Sequence, residues 1–359
     1  MGVRKLAATV VLAFGLGLPL VAQTPTTMRW GPQRPDLLRY NRVEALSIGV
    51  RGQVRPRTFA GPLSLTGVVR LGIADREPNV TVDIARETLV RRVSLRLYNE
   101  LVAIDERARH FGVSNSLLAL TVGRDDGDYF RRSGALLEWT PPTAGRRSFR
   151  VRGYAEHHRP AQVETNFAIL HWGSDTWSFR PNIDADRGWE YGASAELTPH
   201  WGSDPDLTQG GLDLSLQAAA GDTEYIRAAL LGRVQVPLPA GLRMNLEAGA
   251  GTSWGSPSVQ RLWYLGGPLT LRGYAPRIGG GESFGRARGE LTRASSLGAV
   301  TLFSDFGWAG DRDDIRFDDA LYSVGVGVSI LDGLVRFDAA WGLRTPRALR
   351  FEAYLDQIL

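Results

Sequence analysis

Tyr322-Ser323-Val324-Gly325-Val326-Gly327-Val328-Ser329-Ile330 alternates without a break. In an extended chain Tyr322, Val324, Val326, Val328 and Ile330 fall on one face and Ser323, Gly325, Gly327 and Ser329 on the other, the period-2 signature of a strand with one apolar side. Working outward, Val335 to Leu343 repeats the pattern, with Val335, Phe337, Ala339, Trp341 and Leu343 against Arg336, Asp338, Ala340 and Gly342. Leu242 to Ala250 sets Leu242, Met244, Leu246, Ala248 and Ala250 against Arg243, Asn245, Glu247 and Gly249. Charges recur on the second face. A soluble sandwich shares this period, so length separates the two: runs of about 9 to 12 residues suit tilted membrane strands, whereas globular strands average about 5 to 6.

The N-terminus fits export. Arg4 and Lys5 precede an apolar stretch from Leu6 to Val21, the layout of a signal peptide, with cleavage expected after Ala22 or Gln23. The expected organisation is a signal peptide at 1–23, a short periplasmic segment at 24–40 and an outer-membrane β-barrel at 41–359. No later stretch of 18 or more uncharged apolar residues offers a spanning helix, so a membrane protein here must be a barrel. The 43% hydrophobic content and 42 glycines agree, because only alternate residues of a barrel strand meet lipid. Without Arg4 and Lys5 the 42 basic residues fall to 40 against 38 acidic, with no clustered basic face for nucleic acid. Those 40 are all arginine. There is no cysteine, so no disulfide supports the fold.

Strands are read near 43–54, 63–73, 79–86, 92–102, 116–123, 130–139, 147–157, 190–200, 210–220, 225–237, 242–254, 285–294, 298–308, 320–331, 333–343 and 349–358. The expected class is all-β, a transmembrane antiparallel barrel of about sixteen strands with a long loop inserted in its lumen. The runs at 79–86 and 116–123 are the weakest, which leaves twelve or fourteen strands open; single-chain bacterial barrels have an even number. From a periplasmic N-terminus, parity puts the long segments 158–189 and 255–284 outside, and the turns at 295–297 and 331–333 inside. Ala103 to Gly112 reads as a short helix inside a turn.

The sharpest local signal is Leu262-Trp263-Tyr264-Leu265-Gly266-Gly267-Pro268-Leu269-Thr270-Leu271-Arg272-Gly273-Tyr274. Glycines let a hairpin fold back tightly, and an arginine offers a fork of donors to a carboxylate. This stretch resembles the lumen-inserted sixth loop of the barrel-assembly and surface-antigen superfamily of outer-membrane insertases and translocases, whose tip is an Arg-Gly-aromatic motif. The resemblance implies a loop motif of Gly266, Gly267, Leu271, Gly273 and Tyr274. It implies that Arg272 pairs with Asp305 in Phe303-Ser304-Asp305-Phe306-Gly307, the Phe-x-Asp-x-Gly wall motif carried by Phe303 and Gly307. The alternation independently places Asp305 on the lumen face, opposite Val300, Leu302, Phe306 and Trp308. Glu290, on the face of Arg286 and Arg288, matches an acidic residue that members carry in the strand after the loop. Five expected strands follow the loop and eleven precede it, as in a sixteen-stranded member. Tyr40-Asn41-Arg42-Val43-Glu44-Ala45-Leu46 and Asp125-Asp126-Gly127-Asp128-Tyr129-Phe130 also look like family barrels.

Two departures stand out. Leu359 replaces the usual terminal aromatic, and between Gln23 and Tyr40 there is no room for the periplasmic polypeptide-transport domains of family transporters. The resemblance covers the barrel domain only. It implies a protein that assists insertion or translocation of polypeptides across the outer membrane, with membrane lipids, unfolded clients and a separately encoded periplasmic protein as partners. The alternative is a passive channel, surface antigen or membrane anchor. No enzyme is expected: there is no zinc-hydrolase spacing among His110, His157, His158, His171 and His200, and no nucleophile elbow. No cofactor or metal is expected. Glu156-His157-His158 and Asp311, Asp313 and Asp314 read as solvated rims, and Trp172, Trp177, Trp201, Trp254, Trp263 and Trp308 as an interfacial girdle.

Overall fold

The computed structural model describes residues 27–30, 37–58, 61–105, 108, 110–141, 147–204, 206–296, 298–331 and 335–355. The expected export signal at 1–23, the turn residues 297 and 332–333, and Leu359 lie outside them. Fifteen strands follow one another around a single antiparallel sheet. They are β3 (Ala45–Val54), β5 (Gly61–Gly72), β6 (Pro78–Glu87), β7 (Arg92–Ala103), β8 (Tyr129–Thr140), β9 (Arg147–Pro160), β10 (Gly188–Trp201), β11 (Gln209–Gly221), β12 (Glu224–Leu238), β13 (Leu242–Ser256), β16 (Ser283–Ser295), β17 (Gly298–Gly310), β18 (Leu321–Ile330), β19 (Val335–Gly342) and β20 (Leu349–Leu355). The sixteenth place is filled by two short strands, β1 (Thr27–Trp30) and β2 (Leu38–Asn41), which pair with successive stretches of β3 on its free side. The two-residue β4 (Arg57–Thr58) only decorates the turn before β5. β14 (Trp263–Leu265) and β15 (Gly279–Gly281) form a separate hairpin.

Alternation sets the facing. In β18, Val324, Val326 and Val328 are each 41–45% exposed while Ser323 is fully covered. Leu302 beside Val326, and Leu230, Leu216, Leu97 and Phe351 further round, continue an outward apolar band. Such an outer surface would be a liability in water and is what lipid requires, while the ladders satisfy the main-chain groups that lipid cannot. Trp139 and Trp201 stand exposed at one end of the wall and Trp189 and Trp254 at the other, where interfacial aromatics belong. The expected girdle needs correcting at three places. Trp263 turns inward, donating to Ser253 Oγ at 3.0 Å under Arg227; Trp177 stacks on His171; Trp308 is covered, with Phe317 beside it.

The expected strand at 116–123 is instead helix α1 (Val113–Val122), closed by Gly123 in the left-handed region, whose N–H donates to the Leu118 carbonyl. A short apolar run such as Leu117-Leu118-Ala119-Leu120 does not distinguish strand from helix, and the glycine stop decides it. With that strand gone and β1 and β2 added, the direction of the first four wall strands is the reverse of the expectation. The Asn41–Glu44 tip lies at the same end as the long connections 161–187 and 257–282, and the C-terminal ends of β3, β6 and β16 and the turn 88–91 lie at the other. Short periplasmic turns and long outer loops identify those ends. Among the described residues no ladder joins β20 to β1, β2 or β3, so a gap separates the last strand from the first.

Candidate functional site in the lumen

The connection between β13 and β16 turns back into the barrel. The β14–β15 hairpin leads into a tight fold in which Gly267 N–H donates to the Tyr274 carbonyl and Leu271 N–H to the Gly267 carbonyl. Thr270 Oγ1 closes it by accepting from Gly266 N–H at 2.8 Å. Gly266 and Gly273 have φ of 111° and 83°, in the region that favours glycine. Their smallness is also required: a Cβ on Gly266 would lie 2.0 Å from the Ala275 carbonyl oxygen, and one on Gly273 would lie 3.0 Å from the main-chain nitrogen of Gly342 in β19.

This fold delivers Arg272 to the wall. Its Nε and Nη2 donate to the two oxygens of Asp305 at 2.8 and 2.6 Å, and its own main-chain N–H donates to Asp305 at 3.0 Å. Nη1 donates to Glu290 and lies 3.6 Å from Asp338. The guanidinium stands 3.6 Å over the ring of Phe303, a cation–π stack. Phe303, Asp305 and Gly307 all face inward, two residues apart on β17, so each has a separate task. Phe303 supports the guanidinium and Asp305 pairs with it. Gly307 leaves room for Leu265 and Leu271, because a Cβ there would be 3.1 and 3.5 Å from their methyl carbons. Tyr274, also buried, donates from its hydroxyl to the Tyr322 carbonyl and accepts Arg344 N–H at 2.9 Å.

The structure thus brings Arg272, Asp305, Glu290, Phe303, Gly307 and the loop residues together. It also adds members that the sequence reading left out of the site. Arg336 links Glu290 at 2.9 Å to Asp338 at 2.9 Å, and Arg288 holds the Pro268 and Leu269 carbonyls and lies 3.5 Å from Asp305. Arg272, Arg288 and Arg336 balance Asp305, Glu290 and Asp338 in charge. The alternation had put Arg336 and Asp338 on the lumen face, but only barrel curvature brings β19 under the loop.

A second fastening secures the start of the loop. Arg261 donates to Glu190 at 2.8 Å and Glu156 at 3.4 Å, while Gln260 meets His158 and the Asp186 carbonyl. Tyr154 and Tyr225 hydroxyls also donate to Glu190. Glu156 and His158 are therefore 2% exposed, not a solvated rim, because the loop descends onto them. Asp311, Asp313 and Asp314 do stand in the β17–β18 connection, the latter two paired with Arg312 and Arg316. At the outer tip, Arg42 binds Asp125 and Asp128, joining the two other family-like fragments. Beside it Glu44 is gripped by Arg39, Asn41 and Asn79. Burial alone would raise the Glu44 carboxyl. The charge and hydrogen bonds of Arg39, with Arg70 and Asn41, outweigh that and hold it at about 2.

An outward apolar band, an inward polar face and short turns at one end define a transmembrane β-barrel of the bacterial outer membrane. No family model and no curated protein matches the sequence. Among solved structures the chain is similar to BamA from Haemophilus ducreyi lacking POTRA domains 1–3, with 13% identity over 92% of this chain and 70% of that one and a TM-score of 0.61. CdiB from Acinetobacter baumannii matches at 12% identity over 92% of this chain and 58% of that one, with a TM-score of 0.47. The fold is a BamA-like barrel.

Proposed function

We propose that this barrel assists the insertion of polypeptides into the outer membrane or their translocation across it. The observation that carries the reading is a loop fastened inside the lumen of a barrel whose first and last strands share no ladder among the described residues. A passive pore gains nothing from strand edges left unpaired, since lipid leaves such groups without partners. In an insertase those edges are a working surface. Arg272, Asp305 and Glu290 serve in this reading as the lock that keeps the loop in place while the wall beside the gap moves. Unfolded polypeptides are the clients, and a separately encoded periplasmic protein delivers them. Residues 1–23 act as the export signal.

The test is reconstitution. Purified protein in liposomes, with its natural periplasmic partner, should speed the insertion of unfolded barrel clients, and an engineered disulfide between first and last strands should abolish the effect. A steady ion conductance without any effect on clients, unchanged by that disulfide, would assign a passive channel, surface antigen or membrane anchor instead.

A further inference from the structure

Helix α1 stands in the gap between the two ends of the sheet. The main-chain N–H of Tyr40 in β2 donates to Ser116 Oγ of the helix at 3.1 Å. Arg124, just past the Gly123 stop, donates from Nη1 to the main-chain carbonyl of Phe351 in β20 at 2.7 Å and forms an ion pair with Glu352. Asp126 holds the same guanidinium at 2.8 Å. One side chain of this segment thus satisfies a main-chain group of the first strand, and another a main-chain group of the last. The chain also passes from one face of the sheet to the other. Phe111 lies 3.6 Å beneath the guanidinium of Arg39 on the lumen face of β2, while Ala119 and Leu120 pack with Tyr40, Leu46 and Phe179 on the opposite face.

This attachment is slight for its place. β3 and β5 are joined by eight paired residues, whereas among the described residues Ser116 and Arg124 make one main-chain hydrogen bond with each free edge. The helix itself carries no charged residue, so its departure breaks the bonds of its buried Asn115 to Asp125 and Tyr129 and, with Arg124, the pair to Glu352. We infer that α1 is a removable clasp, which bridges the first and last strands, occupies both free edges and exposes them when it withdraws. The inference rests on the insertase reading for its purpose and on the contacts of Ser116 and Arg124 for its existence.

The sequence has no cysteine, so two introduced ones are the only labelling sites. Ile48→Cys on β3 and Phe337→Cys on β19 flank the gap on the outward face. Nitroxide labels there, in the full chain in liposomes, report the width of the gap by pulsed spin-resonance distances. Adding Ser116→Ala with Arg124→Gln should broaden the distribution and shift it by about one strand spacing, ~5 Å. An unchanged distribution in correctly folded protein overturns the clasp. Should the variant fail to fold, hydrogen exchange on the unaltered protein decides: amides of α1 should exchange well before those of β17 and β18, and equal protection overturns the idea. Client insertion is scored separately. A widened gap without effect on clients removes the insertase reading and leaves the clasp; an unmoved gap removes the clasp whatever the clients do.

Discussion

Replacing Asp305 by alanine removes three hydrogen bonds from Arg272, two to the guanidinium and one to its main-chain N–H. Both residues are almost fully covered, at 0% and 1% exposure, so water cannot replace what is lost. Breaking a buried pair by removing one partner typically costs about 3 to 5 kcal/mol, because the remaining charge is stranded. Glu290 and Asp338 stay near the guanidinium and would draw the cost toward the lower figure, whereas the orphaned N–H adds about 1 to 3 kcal/mol. The net cost is then about 4 to 6 kcal/mol; for a domain of this size roughly 2 °C accompanies each kcal/mol, so the barrel should unfold about 8 to 12 °C lower. The assay is heat-modifiable gel migration across a temperature series, with limited proteolysis of the 257–282 loop. Arg272→Ala should cost a similar amount, and the double variant little more than either single one, since the two act as a unit. Additive single effects, or two single variants that melt like the parent, would refute the argument that this pair holds the loop.

Gly273→Ala should lower the unfolding temperature by a few degrees and raise cleavage of the loop, because a left-handed φ in a residue with a Cβ costs about 1 to 2 kcal/mol and the β19 backbone stands in the way; parental melting would show that the wall yields. Single cysteines at Val324, Val326 and Val328 should react with lipid-soluble reagents and not aqueous ones, while Ser323→Cys, covered by the loop tip, should react slowly with both; rapid aqueous labelling of Ser323→Cys would mean an empty lumen at that level. Glu44 predicts an acid limit. Its folded pKa of about 2 lies below its ordinary 4.5, so its contribution is complete above the ordinary value and lost as pH falls toward 2. Melting followed from pH 6 to pH 2 should drop across that window in the parent and less steeply in Glu44→Gln; parallel curves would remove Glu44 from the account.

Much of this was legible in the chain because barrel strands write their facing into alternate residues. Val324, Val326 and Val328 declared the outside, and the Phe303, Asp305, Gly307 spacing placed three inward groups on one strand. What escaped reading depends on distance along the chain. Arg261 reaches Glu156 and Glu190 only because the loop bends inward, and nothing local to Gln260-Arg261 announces it. α1 escaped because four apolar residues satisfy either period. The interrupted first strand escaped because Gly31-Pro32 and Pro35 break the alternation between Thr27–Trp30 and Leu38–Asn41, so neither half is long enough to read. The use of arginine alone among the Lys and Arg residues after Lys5 also gains a reason: forks that span two carboxylates recur at Arg272, Arg336 and Arg261, and lysine offers no such fork.

The two fastenings of the loop have a mechanical consequence. Arg261 is tied to β9 and β10, Arg272 to β16 and β17, and β11, β12 and β13 lie between them. The chain from one arginine to the other is a chord beneath an arc of wall, and a braced arc resists flattening as an unbraced hoop does not. A barrel squeezed by the bilayer, or pushed by a passenger, can become oval only where it has no brace. Tyr274 and Asp338 extend the fastening to β18 and β19, so the strain is steered into the remaining sector, from β20 past the gap to β8, and the stiffness of one side of the tube decides where the other side bends.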